Sequence, residues 1–252
     1  MGDLPVGALM RTTMCVLGGA LAAVLLSADQ GWGGSVDKRD PPCVAASGHR
    51  AVNLPKGDLL LLPNPSVAEV AGDYRDRLAT TALGRPRRSL WCVWLEPATS
   101  EGPATRWVER WHAAAARALA QWEAVLPIVR VADPDTAQVR IRRRRPPLKR
   151  QADGRTRASH GRATLALLEV KRGSIWQLEP AVEVLLSPEQ RPEAIEATAL
   201  HELGHAFGLW GHSDEAGDAM AATPGAQPVQ QLSPRDRATL RWLDQQPTPF
   251  AP

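Results

Sequence analysis

The sequence predicts an α+β domain, a twisted mixed β-sheet carrying a long N-terminal helix, a second helix that bears two histidines, and a C-terminal helix. Its 252 residues are 44% hydrophobic and 23% charged, enough apolar material for one sizeable core. Short runs of branched and aromatic residues alternate with longer segments of helical period, and no internal repeat is present. A single stretch, at the extreme N-terminus, is apolar enough to meet a bilayer, which excludes a multispan membrane protein.

Residues 1–28 read as a secretory signal or an N-terminal anchor: Arg11 precedes an apolar run at 13–28, and the polar Asp29-Gln30-Gly31 follows. Cleavage after Ala28 suits a signal, and a run of about 16 residues is short for a membrane span. The body of the chain is expected outside the cytoplasm, secreted, periplasmic or held at an outer membrane face. Removing the signal removes Cys15, leaving Cys43 and Cys92 as a pair that can oxidise or stay as two buried thiols. Residues 29–88 form an arm or a removable pro-segment, rich in Gly, Pro and Asp up to residue 64. A short helix is expected near its end, capped by Asn64 and entered through Pro65, with Val67, Val70, Tyr74 and Leu78 on one face.

The main domain, 89–252, is expected to begin with the strand Ser89–Leu95. A helix at 105–125 follows, with Trp107, Trp111, Ala115, Ala118, Trp122 and Val125 marking its inner face, and Pro127 stopping it. Ile128–Val131 and Ala137–Arg142 read as strands joined by a turn at Asp133-Pro134-Asp135, and two more strands are expected at 163–170 and 181–186. Near 192–207, Ile195, Ala199, Leu203, Ala206 and Phe207 give a helix an inward face, and Ser233-Pro234 opens a last helix at 234–245.

The chemistry concentrates in His201-Glu202-Leu203-Gly204-His205. Two imidazoles four apart project from one helix face and suit two corners of a tetrahedral Zn²⁺, while Glu202 reaches a catalytic water without binding the metal. For the third corner, Glu215 is too close to His205 for the arrangement that places a glutamate on a distant helix. His212 is the better candidate, with Asp214 behind it, because Gly208 can end the helix in a left-handed conformation and let the chain double back.

These residues resemble the metzincin zinc endopeptidases, and within them the matrixin-like group, whose signature is His-Glu-x-x-His-x-x-Gly-x-x-His followed by a methionine turn. His201, Glu202, His205 and Gly208 match it; Gly211 stands at the eleventh position and His212 comes one residue late. The run Gly208–Ser213 is similar to a Gly-x-x-Gly-His-Ser variant of bacterial matrixin-like peptidases, so Gly211 reads as a one-residue insertion in a permissive loop. Met220 lies eight residues after His212, the spacing of the family's methionine turn. Similarity also touches Gln121–Ile128, the strand through Val139 and Ile141, and Leu232–Asp236, covering about residues 89–247.

The resemblance implies one catalytic Zn²⁺ on His201, His205 and His212, Glu202 as general base, and hydrolysis of internal peptide bonds; whether Ca²⁺ or a second Zn²⁺ also binds is open. A catalytically inactive zinc-binding interaction module is the alternative. A protein or peptide substrate would lie extended along an edge strand, with 163–170 the candidate, and the chain is expected to be monomeric. Ten Arg or Lys residues between Arg140 and Arg162, among them Arg142, Arg143, Arg144 and Arg145, face one acid, Asp153. They are a solvated loop or a polyanion contact; no aromatics interleave them, so nucleic acid is not the expected partner.

Overall fold

The computed structural model describes residues 43–52, 61–62, 70–99, 101–150, 156–223 and 225–250, all within one unit, Lys38–Pro252. The expected signal at 1–28 and the Asn64 cap lie outside the described residues. In chain order come β1 (Gly48–Ala51), β2 (Trp91–Leu95), α1 (Thr105–Glu123), β3 (Ile128–Arg130), β4 (Val139–Arg142), β5 (Lys149–Arg150), β6 (Thr156–Arg157), β7 (Gly161–Arg172), β8 (Ile175–Leu186), α2 (Pro192–Ala206) and α3 (Pro234–Asp244). Six strands form one sheet in the order β1-β7-β8-β4-β2-β3, and β5 pairs with β6 apart from it. The fold is therefore mixed, with parallel pairing around β2 and β4 and antiparallel pairing from β8 outward.

The aromatic and branched side chains of β2 are nearly all buried, and β3 and β4 lie parallel on its two sides. The expected turn between β3 and β4 exists as a 3₁₀ turn at Pro134–Thr136, but the two strands do not pair with each other. They flank β2 because the turn carries the chain across its end. Strands β7 and β8 extend beyond the expected 163–170 and 181–186 into a continuous hairpin, closed by Gly173 at φ 59°. Pro180 sits inside β8 without breaking the sheet, because pairing with β4 begins only at Val182 and asks no donor of residue 180.

Helix α1 buries Val108, Trp111, Ala114, Ala115, Ala118, Leu119 and Trp122, and its alanines let α2 approach closely. The Trp122 indole N–H donates to the Leu200 carbonyl at 3.1 Å, and Arg117 pairs with Glu196 at 2.7 Å, fixing the two helices in register. Trp107 departs from the expected inner face: it is 47% exposed, with Arg106 and Arg110 against its ring. Val108 takes the inward position in that first turn. Helix α3 starts at a capping box in which Ser233 and Asp236 each accept the other's backbone N–H.

The arm is not detached. Its residues 48–51 pair antiparallel with Leu168–Lys171, and a Cys43–Cys92 disulfide ties it to β2. The helix expected up to Leu78 is absent over the described residues 70–78, where a single 3₁₀ turn, Arg75–Arg77, stands in its place. Gly72 adopts φ 94°, Asp73 accepts the Arg75 N–H, and the Tyr74 N–H donates to Thr239 Oγ1, so the backbone is committed to other partners. Tyr74 and Leu78 are fully buried all the same, in the core beside α3. No helix among the described residues is long and apolar enough to cross a membrane.

Candidate metal centre

Helix α2 begins at Pro192 and buries Ile195, Ala199, Leu200 and Leu203, which turns the faces of His201 and His205 toward the loop that follows. That loop returns His212 to them: the ligand atoms of the three histidines lie within 4.8 Å of one another, close enough to hold one metal ion. Each helical imidazole is oriented by a backbone carbonyl, Ala219 for His201 and Leu209 for His205, both at 2.8 Å from Nδ1. A carbonyl can only accept, so Nδ1 carries the proton and Nε2 presents its lone pair. The ring of Trp210 stacks on His205 at 5.5 Å.

Electrostatics favour the ligand form. Burial, with His201 and His212 nearby, lowers the His205 pKa to about 3 against the bond to Leu209. Burial also lowers His201, opposed by its bond to Ala219, and lowers His212. Burial thus favours the neutral imidazole, the form that metal binding requires, at all three positions.

Gly208 ends the helix as expected, at φ 106°, and a β-carbon there would meet Leu243 at 3.0 Å and the Pro86 carbonyl at 3.2 Å. Gly211 is needed for a different reason from the one its sequence setting suggests. Its φ lies outside the left-handed region, and a β-carbon would stand 2.2 Å from the Arg77 carbonyl oxygen, so the loop is closely confined there and not permissive. Met220 is fully buried beneath α2, in a turn whose ends are paired: Ser213 N–H donates to the Met220 carbonyl at 2.7 Å, and Ala222 N–H to the Ser213 carbonyl at 2.9 Å.

Glu202 faces the start of β7. One carboxylate oxygen accepts the Ala163 N–H at 2.7 Å, and burial raises the group to about 7 against that bond and the nearby charge of Arg162. Gly161 is packed so tightly that a β-carbon would lie 2.4 Å from Thr198 and 2.6 Å from the Glu202 side chain. The expected substrate edge is shorter than 163–170, because β1 covers Leu168–Lys171; the outer edge of Gly161–Leu167 pairs with no strand among the described residues.

Asp214 does not join the histidines; it pairs with Arg77 and Arg235 at 3.0 and 2.9 Å. Cys43, being disulfide-bonded, offers no thiolate to a metal. In the basic run, Arg140, Arg142, Arg143 and Arg145 pair with Asp135, Glu183, Glu96 and Glu189, which blunts the charge a polyanion would meet. Residues that the sequence did not place at the site also build it: Gly204, Tyr74, Ala163 and Asp236. A glycine inside a helical pattern was the available signal for Gly204; the others meet the site only through long-range packing.

No protein-family model matches the chain, and no curated protein matches it. The class is thus defined by its own geometry: a mixed α/β fold with a three-histidine cluster able to hold a metal ion.

Proposed function

We propose that the chain is an exported zinc-dependent endopeptidase with a matrixin-like, metzincin-type catalytic domain. The observation that carries this reading is the convergence of His201, His205 and His212 with the raised carboxyl of Glu202 one residue past the first ligand. The donor set fits Zn²⁺, since three neutral imidazoles, two with Nδ1 tied to carbonyls, leave room for a fourth, exchangeable position. Zinc bound there supplies Lewis-acid activation of a water and of the scissile carbonyl.

The remaining steps belong to the chain. Glu202 takes a proton from the attacking water and passes it to the leaving amine, and a carboxyl near 7 is matched to both duties. The Ala163 N–H holds that carboxylate near the start of β7. Outward backbone groups of Leu165 and Leu167, alternate to those paired with β8, offer an extended peptide its hydrogen bonds. Export is supported by the layout of residues 1–28 and by the Cys43–Cys92 disulfide, which persists in an oxidising compartment.

The test pairs metal content with cleavage of a mixed peptide library. The parent should hold one zinc per chain and cut internal bonds. His212→Ala should lose tight zinc, and Glu202→Ala should keep zinc and lose roughly 10²-fold or more in turnover. Zinc without cleavage in the parent would leave the inactive binding module as the function; a folded parent without zinc would remove both.

A further inference from the structure

The segment Asp73–Ala79, between β1 and β2 in the chain, crosses the back of the loop that carries His212. The Ala79 N–H donates to the Trp210 carbonyl at 2.6 Å, and Arg77 pairs with Asp214 at 3.0 Å. Between those two contacts lies Gly211, where a β-carbon would meet the Arg77 carbonyl oxygen at 2.2 Å and Leu78 Cα at 3.0 Å. The neighbour is backbone and cannot swing aside, so glycine is there to let two chain segments touch.

The other end of the segment reaches the turn beneath the histidines. Tyr74 is fully buried, and its hydroxyl donates to Asp236 at 2.8 Å. The same carboxylate, also fully buried, accepts the N–H groups of Ala219 at 2.8 Å and Met220 at 3.4 Å. The Ala219 carbonyl in turn orients His201. Arg235 closes the circuit by donating to the Asp73 carbonyl at 3.3 Å and to Asp214 at 2.9 Å.

We propose that Asp73–Ala79 is a strap that sets the positions of His212 and His201, with Tyr74 as its positioning residue and Gly211 as its seat; this rests on the zinc reading of the triad. His212 is the most exposed of the three ligands and the one carried by a loop, so its place depends on whatever holds that loop. A loop ordered in advance spares the metal the cost of ordering it, and the gain appears as affinity. The segment therefore belongs to the working site and is not discarded on activation.

The experiment uses the full chain in three variants. Tyr74→Phe keeps the ring and removes the hydroxyl; Gly211→Ala forces the loop away from the strap; Trp107→Ala, on the exposed face of α1, is the control. Backbone hydrogen exchange is followed in metal-free protein, zinc affinity is measured by chelator competition, and the visible spectrum of the Co²⁺-loaded protein reports ligand geometry. Both strap variants should exchange faster over 209–222 with the sheet unchanged, bind zinc about tenfold or more weakly, and show an altered cobalt spectrum, while the control matches the parent. Parent-like exchange and affinity in Tyr74→Phe would overturn the strap. Faster exchange with unchanged zinc affinity and spectrum would overturn its role at the metal and leave the zinc reading standing. A parent that binds no zinc refutes that reading, and the strap's purpose with it, even where exchange still responds.

Discussion

A β-carbon at position 204 would stand 2.1 Å from the Met220 sulfur and 3.2 Å from the Trp122 ring. Glycine inside a helix costs about 1 kcal/mol against alanine, so its presence between His201 and His205 has to be offset by packing. Gly204→Ala should therefore destabilise the protein by about 1–3 kcal/mol through overpacking, despite the better helix propensity, in urea unfolding followed by circular dichroism. A stabilised variant would show that Met220 is not held against the helix. At this scale the motif was legible: His201, Glu202, His205 and Gly208 act through local geometry, which spacing reports. Gly211 was visible as a glycine, but its cause, the Arg77 carbonyl, lies far back in the chain, where no spacing could reveal it.

Elements were legible where their burial is periodic. The alanine and tryptophan stripe of α1 and the capping box of α3 are local patterns, whereas the placing of β3 and β4 on opposite sides of β2 is decided by pairing at a distance. Within β8, Glu179 carries the clearest electrostatic consequence. It is buried, receives Arg172 at 2.6 Å and Gln138 at 3.2 Å, and lies 3.5 Å from Arg88. Burial alone would raise its pKa, but the bond from Arg172, the charges of Arg88 and Arg172, and the bond from Gln177 outweigh it and leave the group below its ordinary value. A depressed carboxyl stabilises the fold above its unfolded pKa, near 4.5, and loses that contribution as pH falls through the folded value. Glu179→Gln should cost about 3 kcal/mol at pH 7, because it removes the buried carboxylate charge that the half-buried Arg172 pairs with. The gap between parent and variant should narrow as pH drops below about 4.5. A gap constant with pH in denaturant titrations would show that the carboxylate's charge is not what matters.

Across the whole molecule, the part hardest to read was the N-terminal stretch before Ser89. Residues 43–52 show no alternation of their own; Gly48–Ala51 within them become strand β1 only because β7 offers an edge and Cys92 offers a partner sulfur to Cys43. The described residues from 70 onward place Tyr74 and Leu78 in the same core as Trp91 and Trp122. The disulfide closes a sequence separation of 49, for which chain-entropy arguments give about 4 kcal/mol of stabilisation through the unfolded state. For a domain of this size that corresponds to roughly 10 °C in Tm. The double variant Cys43→Ser with Cys92→Ala should melt lower by that order in scanning calorimetry. Reductant should bring the parent down to the variant's Tm and leave the variant unmoved. If the disulfide serves only to hold the β1 edge, peptide hydrolysis at temperatures below both transitions should survive the double variant, because the strap from Asp73 to Ala79 approaches the histidines by its own contacts. Loss of zinc affinity in a still-folded double variant would instead mean that β1 and the disulfide support the site through β7, where Ala163 holds Glu202.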